Sequence, residues 1–274
     1  MKTLVQTDWL EKHLNDEGLC ILDATWFLPA TKRQAWYEYN YQHIPGARFF
    51  DLDKISDQTT TLPHMLPSAD KFSTEMSRLG ITNQTRVVCY DALGMFSAPR
   101  CWWMFKAFGH NNVWVLDGGL KKWMVEGRPV EDGEKLIPRA GRFKATLNRD
   151  MFRTMAQLAK TDVQIVDARS PPRFRGEEAE PRPGVKPGHM PNSINLHYAN
   201  LVTARGLLYR DALLRSKFTE AGIDLKKPII TSCGSGVTAA IITMALTEMG
   251  HPDHALYDGS WAEWGSSGRP IELG

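Results

Sequence analysis

Cysteine, net charge and long apolar runs are all scarce in this 274-residue chain, and each scarcity closes a class of function. Four cysteines, Cys20, Cys89, Cys101 and Cys233, are too few for a disulfide scaffold at this length and read as free thiols in a reducing compartment. Lysine and arginine number 33 against 31 acidic residues, a net charge of +2. That balance excludes the strong basic excess of a dedicated nucleic-acid or membrane-surface binder. Any anion site must come from locally placed charge. No apolar run approaches the ~20 residues that span a bilayer. The N-terminus lacks the apolar segment of a secretory signal, so the expected location is cytoplasmic.

What is present is a repeat. Cys20-Ile21-Leu22-Asp23-Ala24 resembles Gln164-Ile165-Val166-Asp167-Ala168, and His43-Ile44-Pro45-Gly46 resembles His189-Met190-Pro191-Asn192. Arg86-Val87-Val88-Cys89-Tyr90 resembles Pro228-Ile229-Ile230-Thr231-Ser232, and Leu116-Asp117-Gly118-Gly119 resembles Tyr257-Asp258-Gly259-Ser260. Four matches in one order, 141 to 146 positions apart, indicate tandem duplication of a globular domain. The expected division is residues 1–128, a linker over 129–150 rich in Gly, Pro and charge, and residues 151–274.

Short apolar runs predict strands over 19–23, 86–90, 113–116, 163–167, 228–232 and 255–257. Helical periodicity is expected over 7–14, 69–79, 98–108, 120–125, 151–159, 211–221, 237–248 and 261–264. Near-continuous apolar strands alternating with helices predict an α/β fold, with a parallel sheet covered on both faces. Residues 175–187 form a long polar loop with three prolines, of the kind that closes over sites.

The chemistry points to Cys233. The strand ending Thr231-Ser232 runs into Cys233-Gly234-Ser235-Gly236-Val237-Thr238 and then an apolar helix. A cysteine there stands at the C-terminal end of a parallel strand, where open α/β sheets place their ligand crevices. Glycines allow successive N–H groups to turn inward as an anion nest, and the helix aims its positive end at the same place. Both favour a thiolate, the nucleophilic form, and a terminal persulfide, also an anion. Cys20, Cys89 and Cys101 lack that context and read as core. Aligned on the strand, the first copy carries Asp91 where the second has Cys233. A carboxylate cannot hold sulfane sulfur, so the first copy is expected to be a non-catalytic wall.

The tandem arrangement and the Cys-Gly-Ser-Gly-Val-Thr loop resemble the rhodanese/3-mercaptopyruvate sulfurtransferase family. So do His43-Ile44-Pro45-Gly46-Ala47, Pro63-His64-Met65-Leu66-Pro67, Ser97-Ala98-Pro99-Arg100 and Asp258-Gly259-Ser260-Trp261. The resemblance implies two tandem rhodanese-like domains with the site in the cleft between them, and no cofactor or metal. It implies a Cys233 persulfide, loaded from 3-mercaptopyruvate and unloaded onto a thiol such as thioredoxin, or onto cyanide. The neutral Gly234-Ser235 pair matches the mercaptopyruvate type, because thiosulfate-preferring members carry cations there. Arg173 and Arg182 match the family's substrate-binding arginines, and guanidinium forks suit a carboxylate. Ser235, His64 and Asp53 match a Ser/His/Asp proton relay. Spacing alone does not bring His64 to Ser235, since they lie in different copies. Arg169 and Arg175 read as solvated surface charge, and His43 and His189, repeated in both copies, as structural.

Two other classes compete. A cysteine phosphatase needs arginine six residues past the nucleophile to clamp phosphate, and Ala239 stands there. A sulfur-binding or redox module that takes up persulfide without turnover would have no need of Arg173, Arg182 and Ser235. A thiosulfate:cyanide sulfurtransferase is the nearest alternative.

Overall fold

In a computed structural model, residues 2–134, 140–158 and 163–274 are described. Among the described residues, ten strands form two five-stranded parallel sheets. The first contains β1 (Leu4–Val5), β2 (Leu19–Asp23), β3 (Arg48–Phe49), β4 (Arg86–Tyr90) and β5 (Val113–Leu116), in the order β1-β5-β4-β2-β3. The second contains β6 (Phe152–Arg153), β7 (Gln164–Asp167), β8 (Ser193–Asn195), β9 (Ile229–Ser232) and β10 (His254–Tyr257), in the order β6-β10-β9-β7-β8. The second order is the first advanced by five strands, so the duplication in sequence is a duplication of topology.

Both faces of each sheet are buried, which is why the strands read as unbroken apolar runs. In β2, Cys20 and Leu22 pack into the main core while Ile21 faces a second cluster with Tyr39, Leu116 and Trp123. The main core joins the copies. Helix Ala98–Ala107 packs against helix Ala239–Glu248, and nearly every residue of each is buried. A helix that is apolar all round belongs inside, and these two are the centre of the molecule. Trp102, Trp103, Trp123 and Trp261 are fully buried, which accounts for much of the tryptophan.

One expectation is corrected. Residues 151–159 were expected to be helical. Instead Phe152–Arg153 is an edge strand paired with β10, and the helix spans only Met155–Leu158, with residue 159 outside the described residues. Pairing to the sheet edge outweighs the weak helical pattern, and the equivalent β1 pairs in the same way with β5. Within the expected linker, residues 141–148 lie as a strap along the first copy. Phe143 is buried there beside Phe72 and Phe105, and the N–H groups of Gly141 and Thr146 bond the carbonyls of Ser77 and Phe108.

Candidate active site

β9 delivers Cys233 to the floor of a cleft between the copies. The cleft has about 210 Å³ of free space. That is below the roughly 300–1,000 Å³ of pockets for drug-sized ligands and suits a small organic anion. Trp26, Leu28 and Phe96 wall it from the first copy, facing Arg173, Arg182 and His197 from the second.

The loop after Cys233 is held open from behind. Its carbonyls at 233 and 234 accept from Trp261 and Ala262, both at 2.9 Å. Gly236 adopts φ +79, and a Cβ on it would lie 2.8 Å from the Arg100 guanidinium, so glycine is required twice over. Among the described residues, the backbone N–H groups of 234 to 239 donate to no protein acceptor. The equivalent loop of the first copy explains why. There the Asp91 carboxylate accepts five N–H bonds of 2.8–2.9 Å, from Leu93, Gly94, Phe96, Ser97 and Ala98. The same loop folds around an anion in one copy and presents a thiol in the other.

Ser235, His64 and Asp53 meet across the copies. Ser235 Oγ lies 2.8 Å from His64 Nδ1, and His64 Nε2 lies 3.0 Å from Asp53 Oδ1. An ionised carboxylate only accepts, so Nε2 carries the proton and Nδ1 accepts the Ser235 hydroxyl. Burial pushes His64 below the ordinary histidine value, with the Asp53 charge pulling the other way. The hydrogen bond from His64 holds Asp53 below the usual carboxylate range, although its side chain is 68% exposed. The Trp26 indole also donates to Asp53, at 3.2 Å.

Arg173, on the short helix Pro171–Arg175, and Arg182, on the loop beyond it, reach over Gly234. A Cβ on Gly234 would lie 3.2 Å from Arg173 Nη2 and 3.8 Å from Arg182 Nη1. Arg173 is tied to Glu180 at 2.5 Å, whereas the Arg182 guanidinium has no hydrogen bond or ion pair among the described residues. Burial draws Arg182 below the ordinary guanidinium value, and the nearby Cys233 opposes this.

Arg169 corrects its expectation as surface charge. It is 2% exposed, paired to Asp167 and Glu180 at 2.7 Å, and lies over the Trp261 ring. A guanidinium satisfied by two carboxylates can be buried, and its place two residues after β7 was the available signal. Arg175 does sit outside, paired to exposed Glu177. His43 and His189 are buried, each bonding a backbone carbonyl and stacked on an aromatic ring. Sequence reasoning missed Arg100 and Asp258 as partners. Arg100 is fully buried, donates to the His64 carbonyl, and binds Asp258 at 2.7 Å. Asp258 also accepts the Leu66 N–H at 2.7 Å, so the second copy holds both sides of the His64 turn. Among the described residues no cluster of metal-ligating side chains occurs and no helix is long and apolar enough to cross a membrane.

The chain matches the rhodanese-like domain family over residues 6–126 and again over 153–267. It is 41% identical to human 3-mercaptopyruvate sulfurtransferase, over 99% of this chain and 95% of that protein. Identity to rat thiosulfate sulfurtransferase is 42%, over 96% and 92%. The crystal structure of SseA from Escherichia coli, described as a 3-mercaptopyruvate sulfotransferase, superposes with a TM-score of 0.87 at 38% identity, covering 95% of this chain and 99% of that one. With two family matches that together take in most of its length, each around one parallel sheet of the same strand order, the chain belongs to the rhodanese family.

Proposed function

We propose that the protein is a 3-mercaptopyruvate sulfurtransferase that carries sulfur on Cys233. The single observation that carries this reading is the contrast between loops. The Asp91 carboxylate gathers five N–H groups in one copy, and in the other the N–H groups of residues 234 to 239 donate to no acceptor among the described residues. A persulfide extends from Cβ by two heavy atoms ending in negative charge, as an aspartate side chain does.

In this reading Cys233 Sγ attacks the sulfur of mercaptopyruvate. A sulfur–sulfur bond forms, the carbon–sulfur bond breaks, and its electron pair leaves as the pyruvate enolate. Arg173 and Arg182 hold the carboxylate, and the Ser235–His64–Asp53 relay polarises the carbonyl and passes the substrate's own S–H proton to the enolate carbon, which completes pyruvate and leaves the persulfide as an anion. An acceptor thiol, of thioredoxin type or small, or cyanide, then attacks the outer sulfur and regenerates Cys233. Asp91 leaves the first copy without chemistry, as a wall. Free thiols suit a reducing compartment, the cytoplasm in our reading.

One observation favours a second donor. The two guanidiniums over Gly234 supply cationic charge close to Cys233, which a compact dianion such as thiosulfate also requires. The neutral loop favours mercaptopyruvate, and steady-state kinetics with both donors test the order. After exposure to mercaptopyruvate, mass spectrometry of the Cys233 peptide is expected to reveal one added sulfur, and Cys233→Ser to abolish transfer with the fold intact. Near-normal turnover by that variant would end this reading.

A further inference from the structure

His197 follows β8 and lines the same cleft as Cys233, half-buried, with its neighbour Tyr198. Among the described residues its ring makes no hydrogen bond or ion pair, and its only ring contact is an edge-on one with Tyr198 at 4.8 Å. The other imidazole of the site, His64, has both nitrogens engaged, one by Ser235 and one by Asp53. The remaining charged or titratable groups lining the cleft are Arg169, Arg173, Arg182, Tyr198 and Cys233. Three of these are cations and none is a base that is free near neutrality, save the nucleophile itself. Arg169 is fully committed to carboxylates. His197 is therefore the one uncommitted proton acceptor among the described cleft residues.

The second half of the transfer reaction needs such a group. An acceptor thiol must lose its proton to attack, and once Cys233 carries the persulfide it is no longer a base. We propose that His197 is the general base of this second half-reaction, specific for protonated thiol acceptors, a reading that rests on the Cys233 persulfide above. The neutral imidazole takes the proton of the acceptor S–H. The resulting thiolate attacks the outer sulfur, forming the new S–S bond, and the Sγ–S bond of Cys233 breaks with its electron pair returning to Cys233. The transferred sulfur takes the proton back from the His197 imidazolium and leaves as the acceptor's persulfide. Atoms, charge and protons balance with no outside oxidant or reductant. Burial lowers His197 from the ordinary histidine value, so the ring is neutral at physiological pH.

The test separates the half-reactions. Wild type, His197→Gln and His197→Phe are first loaded with mercaptopyruvate, and persulfide on the Cys233 peptide is quantified by mass spectrometry. Unloading is then followed in stopped flow with 2-mercaptoethanol, which must be deprotonated, and with sulfite, which at mildly alkaline pH is an anion with no proton to lose. Both variants are expected to unload to the thiol about a hundredfold more slowly while the sulfite rate stays within about twofold. Below the thiol's own pKa, the variants' thiol rate should rise tenfold per pH unit, and wild type should depend on pH less steeply. Equal slowing with both acceptors, or no slowing with the thiol, overturns the proposal. If wild type forms no persulfide on Cys233, the reading it rests on fails instead, and the loading step reports that separately.

Discussion

At the scale of single residues, the informative side chain is the guanidinium that has nothing to bind. Arg173 is already neutralised by Glu180, while the Arg182 guanidinium lines the cleft with no partner among the described residues. A charged hydrogen bond to a substrate carboxylate contributes about 1.5–3 kcal/mol. Arg182→Ala should therefore lower kcat/KM for mercaptopyruvate by roughly ten- to a hundredfold, mainly through KM. Arg173→Ala should match or exceed this, because it also leaves the Glu180 carboxylate, then held by Arg169 alone, less neutralised beside the incoming anion. Reaction of Cys233 with a neutral alkylating agent should change little in either, and Arg175→Ala, outside the cleft, should be nearly silent. Similar behaviour of all three would mean that the carboxylate is held elsewhere. The relay gives a pH test. His64 must be neutral to accept from Ser235, and burial places it below the ordinary value of ~6.5. Activity should hold as pH falls past 6.5 and be lost only below it. Asp53 raises His64, so Asp53→Asn should move that acid limb to still lower pH while reducing the plateau about tenfold. A limb that moves upward would contradict the assignment.

At the scale of elements, the loop between strand and helix carries the specificity of the design. Asp91 is fully buried and satisfies five N–H groups, so Asp91→Ala leaves buried donors unpaired, at about 1–3 kcal/mol apiece before water enters. A loss of more than about 3 kcal/mol in urea unfolding is expected, with Asp91→Asn in between. This loop was legible in the sequence because strand, cysteine, glycines and helix are contiguous and each constrains the next. β2, β4 and β5 were legible to the residue, since burial on both faces makes them apolar runs. The two-residue strands β1, β3 and β6 were not. Their extended conformation comes from pairing with a neighbour, and two residues hold no periodicity. Arg169 was misread for a related reason: its burial depends on Glu180, eleven residues away on an irregular loop.

At the scale of the whole molecule, the two copies clasp each other by the same device used twice. Asp117, after β5, accepts the Leu208 N–H at 3.1 Å and binds Arg210 at 2.8 Å, both from the second copy. Asp258, at the matching place after β10, accepts the Leu66 N–H and binds Arg100, both from the first. The contacts are equivalent, but what they hold is not. Leu66 and the Arg100-bound carbonyl of His64 flank the turn that aims His64 at Ser235, and His64 itself sits at φ +59, where a non-glycine residue needs outside support. Leu208 and Arg210 flank nothing in the cleft. The Arg100–Asp258 pair is wholly buried, so breaking it by Asp258→Asn should cost about 3–5 kcal/mol, whereas Arg210 is 37% exposed and Asp117→Asn should cost about 1–2 kcal/mol. The decisive difference is catalytic. At a temperature where both variants remain folded by circular dichroism, Asp258→Asn should slow pyruvate release about as much as Ser235→Ala does. Asp117→Asn should release pyruvate at close to the wild-type rate. If both lose activity only in proportion to lost folded protein, the clasp holds the copies together and does nothing to aim His64.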